Sequence, residues 1–178
     1  VLILLDENLL SKKLKKPFLD VEHTVQNVKN MGWRGTKDRE LLALANVFPF
    51  DVFITSDKNL PYQQNLQNLA LRVVVLNTST TRPDHLLPLI AQIIPLLPSL
   101  APGSITLIAN ATYTPPTSHN HDSAELLWQA AVNAALNAGV QRLVISHHHL
   151  DDHDNFLDQV QVDIKSAFPQ AILAHEGL

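Results

Sequence analysis

The chain opens on VLILL, residues 1–5, an apolar run without polar alternation. A strand of that kind is stable only when both of its faces are covered, which is the situation inside a parallel sheet flanked by helices. The pattern recurs. FDVFIT (50–55), RVVVL (72–76), ITLIA (105–109), LVIS (143–146) and AILA (171–174) read as further strands, and Asp20–Gln26 alternates enough to add one more. Helical segments lie between them. Asn8 is placed to cap a short helix running to Lys16, with Pro17 as its stop. Thr36 is placed to cap Lys37–Val47, whose apolar face is Leu41, Leu44, Ala45 and Phe48. Asp84–Leu97 begins as a helix and is expected to be disrupted by its prolines. Ser123–Ala138 closes on Gly139, and Asp154–Phe168 forms the last helix. Strands alternating with helices throughout define an α/β class with mostly parallel sheets.

Composition divides the chain in two. Residues 1–98 hold eleven Lys/Arg against nine Asp/Glu, a net of +2, whereas residues 99–178 hold two against eight, a net of −6. Seven of the nine histidines also fall in the second part. The expected boundary lies at 95–103, separating a unit 1–98 from a smaller unit 104–178. The acidic second part is a poor surface for nucleic acid. The first, with Lys12, Lys13, Lys15 and Lys16 close together, is a better one. Cysteine is absent, which removes disulfides and thiolate metal sites and makes a cytoplasmic location the expectation. No run approaches the ~18–20 apolar residues of a membrane span, and LLPLIAQIIPLLPSLAP is cut by Pro88, Pro95, Pro98 and Pro102. No signal peptide is legible, and the first residue is Val1 rather than Met, so native residues are expected to precede it.

Two turns share one pattern. LLDENL and ITSDKNL each set Asp-x-Asn-Leu directly after a strand, where open parallel sheets bind their ligands. A lone Asp in such a position is ordinarily a cap or turn former. Two in matching turns allow a second reading, in which Asp6 and Asp57 face one crevice and their mutual repulsion is relieved by Mg²⁺ or Mn²⁺, which can activate water against a phosphodiester. Glu40 is placed to supply a third oxygen ligand. Glu7 is expected to point away from whatever Asp6 faces, and Asn8 and Asn59 need no role beyond capping.

Residues 1–94 resemble the small PIN-like proteins related to toxin ribonucleases. The resemblance rests on LLDENL, MGWRGTKDRELLALA, FDVFITSDKNLPYQQNL and LRVVVLNTSTTRPDHLLPL, in that order and spacing. It implies a PIN-type α/β/α fold and a metal-dependent endoribonuclease, the toxin-like half of a toxin–antitoxin pair with an antitoxin-like protein partner. It assigns catalysis and metal binding to Asp6, Glu40 and Asp57, with Asn59 standing where many PIN-like proteins carry a further Asp. Arg34, Lys37 and Lys58 are the candidates for RNA phosphates, against the ordinary account of solvated surface charge. Trp33 reads as a packing anchor rather than a base-stacking platform.

The second unit resembles the C-terminal third of a metallo-β-lactamase-fold hydrolase, on LIANATYTPP, HDSAELLWQAAVNAALNAGVQRLVISHHHLDDHDNFLD and FPQAILAHEGL. That resemblance sets Asn110 at the bridging-ligand position and His147, with His148 beside it, at the late ligand. The family's main histidine motif is absent, the nearest string being His119, His121 and Asp122. By spacing alone, His147, His148, His149 and His153 form a polar loop. The unit therefore reads as a partial fold, a fused fragment whose unfinished sheet pairs with the first unit or with a second copy in a homodimer. Two alternatives to the ribonuclease follow: a degraded PIN-like binding module acting through protein or RNA partners, and a metallo-β-lactamase-type hydrolase.

Overall fold

The computed structural model describes residues 1–63, 69–110, 121–146 and 154–174. His119, His147, His148, His149 and His153 lie outside them. Seven strands form one sheet: β1 (Leu2–Leu5), β2 (Thr24–Asn27), β3 (Val52–Thr55), β4 (Arg72–Asn77), β5 (Ile105–Asn110), β6 (Arg142–Ser146) and β7 (Ala171–Leu173). Their order is β2-β1-β3-β4-β5-β6-β7, and every neighbouring pair is parallel. Parallel strands cannot be joined by tight turns, so each connection must cross a face of the sheet, and the helices are those crossings. They are α1 (Lys16–Leu19), α2 (Asp38–Val47), α3 (Leu60–Gln63), α4 (Pro83–Leu96), α5 (His121–Asn137) and α6 (Asp154–Ala167). Among the described residues no helix is long and apolar enough to cross a membrane.

Period-two alternation splits the apolar strands into two cores. Leu4, Phe53, Val73, Val75, Leu107 and Leu143 point to one face, covered by Leu41, Leu42 and Ala45 of α2, Ala131, Val132 and Ala135 of α5, and Val160 and Ile164 of α6. Ile3, Leu5, Val52, Ile54, Val74 and Ile108 point to the other, under Phe18 of α1 and Leu86, Leu89, Ile90, Ile93 and Leu96 of α4. This double cover is why VLILL shows no alternation.

The compositional break at 95–103 does not interrupt the sheet. β5 pairs with β4 over Val73–Asn77 and Ile105–Ala109. The break does coincide with a change of hand. From β1 to β2 the chain steps one way across the sheet beneath α1, and from β4 to β5 it steps the other way beneath α4 on that same face. Those two crossovers therefore have opposite hands. The connections through α2, α5 and α6 run in the second direction over the opposite face and share the hand of the first. Strand twist makes nearly all such crossovers right-handed, so β4–α4–β5 departs from a strong rule. What holds α4 there is its apolar stripe, which closes the face that α1, only four residues long, leaves largely uncovered.

Several local elements differ from expectation. Residues 7–19 form no continuous helix but two 3₁₀ turns, Glu7–Leu9 and Lys12–Leu14, followed by α1. Pro17 does not stop a helix; it occupies the first turn of α1, where its missing N–H costs nothing. β2 starts at Thr24 because residues 18–23 turn, with Glu22 in the left-handed region at φ 61°. Thr36 is not the cap of α2, which begins at Asp38 behind Lys37 without a side-chain cap. Helix α4 runs unbroken through Pro88 to Leu96. Pro88 and Pro95 are seven residues apart, hence on one side of the helix, and both are exposed. The carbonyls they leave unbonded, at Asp84 and Ala91, belong to exposed residues and can turn to water.

Replacing Pro88 by Ala restores one helical hydrogen bond at a solvent-facing position. We expect Pro88→Ala to stabilise the fold by about 1–3 kcal/mol, the internal-proline penalty less the lost restriction of the unfolded chain. Urea unfolding would show it as a raised midpoint at constant slope, and an unchanged or lowered midpoint would count against the account given for α4.

Candidate functional site

The sheet reverses direction at β1, with β2 on one side and β3 on the other. A crevice opens outside the carboxyl ends of strands at such a reversal, and ligands bind there. Asp6 follows β1 and Asp57 follows β3 by two residues, so both turns reach this edge. A cavity of about 460 Å³ lies there, lined by Asp6, Asp38 and Asp57, together with Glu7 and Asn8 from the first turn. Val28, Trp33, Thr36 and Leu41 complete it.

One buried hydroxyl joins the two turns. Thr55, fully buried at the end of β3, donates from Oγ1 to Asp6 Oδ2 (2.6 Å) and accepts from the Asp57 backbone N–H (2.9 Å). Asp6 Oδ1 accepts from Glu7 N–H (2.6 Å), so Asp6, rather than Asn8, caps the turn that follows it. Asp57 Oδ1 accepts from Asn59 N–H (2.8 Å), closing an Asx turn. Asn8 reaches across instead, its Oδ1 accepting from Ser56 N–H (3.4 Å).

The third carboxylate of the cavity is Asp38. It sits in the first turn of α2, whereas Glu40, two residues on, is exposed and is not part of the lining. Two residues on a helix are about 200° apart, so a helix that turns Asp38 inward turns Glu40 outward. Glu7 also lines the cavity rather than pointing away from it. Its Oε2 accepts from Gly35 N–H (3.0 Å) and its Oε1 lies 3.4 Å from Arg34 Nε. Arg34 is thus partly engaged by Glu7 at an exposed rim, while Lys37 and Lys58 are exposed beside the first turn of α2 and in the turn after β3. Sequence reasoning missed Thr55, Asp38 and the clasp by Glu7. The one available signal was Thr55 itself, a hydroxyl ending an otherwise apolar strand next to an Asp turn.

Carboxylates gathered this way destabilise one another. Burial pushes the Asp6 carboxyl above its ordinary range; the Thr55 and Glu7 hydrogen bonds pull it down, and repulsion from Asp38 and Asp57 adds to the rise. Burial raises Asp38 as well, with Asp57 contributing. Among the described residues, no Lys, Arg or His lines the cavity to offset this. Hard carboxylate oxygens without a local cation are the donor set that Mg²⁺ or Mn²⁺ takes. Among the described residues, no group of three or more His, Asp or Glu side chains is set close enough to hold a metal by itself. Mg²⁺ does not need such a cage, since it usually keeps several waters and uses one or two carboxylates.

Comparison with protein-family models, with curated proteins and with solved structures yields no match to this chain.

An acid whose pKa is raised on folding binds its proton more tightly in the folded state. Stability therefore falls as pH rises from the unfolded-state value through the raised folded value, and the penalty is complete above it. Asp6→Asn removes the buried charge; its amide oxygen can still accept from Glu7 N–H, but its NH₂ cannot accept from the Thr55 hydroxyl. We expect the wild type to lose melting temperature relative to this variant as pH rises from the ordinary Asp range through the raised Asp6 pKa, on top of a constant difference from the lost hydrogen bond. A difference independent of pH would show that Asp6 carries no such charge penalty.

Proposed function

We propose that this chain is a PIN-like, divalent-metal-dependent endoribonuclease whose acidic centre is Asp6, Asp38 and Asp57. The observation that carries the reading is that Asp6 and Asp57, set in matching turns after different strands, are locked to one Thr55 hydroxyl beside a shared cavity at the sheet's reversal point. A sheet with that acidic edge is what the resemblance of residues 1–94 to PIN-like proteins implies. When bound there, Mg²⁺ or Mn²⁺ supplies neutralisation of phosphate charge and a lowered pKa for water.

The residues of the chain have separable parts in this mechanism. Asp6 and Asp57 are held by hydrogen bonds on oxygens that keep further lone pairs, so both remain able to accept from, or ligate, a group in the cavity. Asp38 adds charge at the near end of α2 and is the third candidate ligand in place of Glu40. Lys37 and Lys58 flank the acidic centre from exposed positions and suit backbone phosphates on either side of the reacting one. The role of a toxin-like component, with an antitoxin-like protein partner, follows from the resemblance alone. For residues 104–178 we retain the reading of a fragment resembling part of a metallo-β-lactamase fold, whose strands extend the sheet.

A second reading, that of a PIN-like binding module without catalysis, is favoured by the lack of a three-ligand cluster among the described residues and by Asn59 in the second turn. Activity separates the two. A mixed single-stranded RNA pool should be cleaved with Mn²⁺ and left intact with EDTA. Asp6→Ala and Asp38→Ala should each lower the rate by at least the ~10–100-fold that even supporting residues of metal sites cost, while Glu40→Ala stays within a few-fold of wild type. Folded wild-type protein that cleaves nothing with Mn²⁺ present would establish the binding module instead. Loss of activity in Glu40→Ala with retention in Asp38→Ala would return the third ligand to Glu40.

A further inference from the structure

The cavity is larger than an ion needs. A water occupies about 30 Å³ of liquid, so a hydrated cation fills only part of a space of about 460 Å³, which falls within the ~300–1,000 Å³ typical of sites for organic ligands. Its lining is also two-sided. Asp6, Asp38 and Asp57 provide the charge, while Val28, Leu41 and the half-buried Trp33 provide apolar wall.

Trp33 is held firmly. Its backbone N–H donates to Val28 O (2.8 Å), and its backbone carbonyl accepts from Thr36 N–H (3.2 Å), which fixes the loop at this residue. Gly32 and Gly35 on either side both have φ of 73°, a left-handed backbone that other residues rarely adopt, so the loop turns sharply enough to present one ring. Glu7 clasps the far end through Gly35 N–H. Behind the indole, Phe48 and Phe50 stack on each other at 5.3 Å, and Trp33 stands nearly perpendicular to both, at 5.9 and 6.1 Å. A packing anchor would end in that cluster, but Trp33 also lines the cavity that holds the carboxylates.

We propose that Trp33 is the specificity residue of the site, stacking one unpaired base of the RNA strand whose phosphate lies at Asp6, Asp38 and Asp57. The inference rests on the ribonuclease reading above and assigns Trp33 the part of meeting an unpaired base. In a duplex both faces of every internal base are already covered, whereas a strand with splayed bases offers a free π-face to an aromatic side chain. Stacking tolerates any base, so the preference is for unpaired structure and not for sequence. The clasp by Glu7 makes the acidic turn and the stacking wall one assembly, fixing the distance between reacting phosphate and captured base.

The test uses the full chain with Trp128→Phe, which leaves Trp33 as the sole indole. Binding of a short labelled oligoribonucleotide is followed by anisotropy, with Ca²⁺ in place of Mg²⁺ or Mn²⁺, and indole emission is recorded in the same titration. Single-stranded RNA should quench Trp33, and the same sequence in a duplex should not. With Trp128 native, Trp33→Leu should raise the Kd by roughly 5- to 100-fold, while Trp33→Phe keeps most of the affinity. RNA that binds without quenching, or equal binding by Trp33→Leu, overturns the proposal. Because the quenching experiment keeps Trp33, a misfolded leucine variant cannot decide it. The two readings fail separately. Quenching without any Mn²⁺-dependent cleavage removes the nuclease and keeps the stacking wall; Asp6-dependent cleavage without quenching removes only the wall; neither binding nor cleavage removes both.

Discussion

The site depends on a single hydroxyl. β1 and β3 are neighbours in the sheet, Leu5 opposite Ile54, so the residues just past their ends are brought together by backbone pairing alone. Pairing does not decide where the two aspartates point. Thr55 orients Asp6 by donating to its carboxylate and holds the second turn by accepting from the backbone amide of Asp57, which leaves neither its proton nor its oxygen unused. A buried hydroxyl without partners is costly, and so is a buried carboxylate without donors. Each satisfies the other here. A valine at 55 would fit the strand equally well and leave an amide and a carboxylate oxygen without that partner, so the packing of β3 and the geometry of the acidic edge are set by different atoms of one side chain.

Most of this architecture was written in the chain as period and punctuation. Continuous apolar runs marked strands buried on both faces, and six of the described strands lie where those runs are, while β2 was marked by alternation. The pairing of Asp6 with Asp57 was legible because two turns carried the same spacing after two such strands. What escaped was of a different physical kind. Asp38 and Glu40 both open α2, and choosing between them needs the rotation of the helix about its axis, which depends on where Leu41, Leu42 and Ala45 pack. Thr55 is a common strand residue whose role exists only through contacts 49 and two residues away. The prolines of α4 misled because a proline's cost depends on whether the freed carbonyl faces water, a fact of the tertiary structure.

The middle of the chain shows a second constraint at work. With α1 reduced to a single turn, one face of β1 and β3 needs cover from elsewhere, and α4 carries the broadest apolar stripe on that side, from Leu86 to Leu96. Once α4 lies there, the chain must leave it toward β5 by a crossover opposite in hand to its neighbours. The burial of one helix face thus outweighs the twist preference of one connection. That the same point separates a mildly basic segment from an acidic one fits a sheet built from two segments with different surface chemistry. Its consequence for the site is indirect: α4 shares one core with Leu5 and Ile54, the last apolar positions before Asp6 and Thr55.

The acidic edge is a place where stability and chemistry pull apart. Burial alone raises Asp6, and Asp38 and Asp57 raise it further, yet among the described residues no basic side chain lines the cavity to relieve them. A chain selected only to fold would set a lysine there or exchange one aspartate for asparagine. Local rules broken in this way concentrate at functional sites, because the groups that destabilise the empty site are the ones that capture a compensating ligand. On the proposed reading the compensation is a cation, since four acidic side chains repel a phosphate that arrives alone. A ligand carrying both a phosphate and a planar ring would then meet both sides of the cavity: the cation between phosphate and carboxylates, and the ring beside Trp33, Val28 and Leu41. Under that proposal, repulsion among the aspartates and the apolar wall beside them act as two halves of one recognition surface.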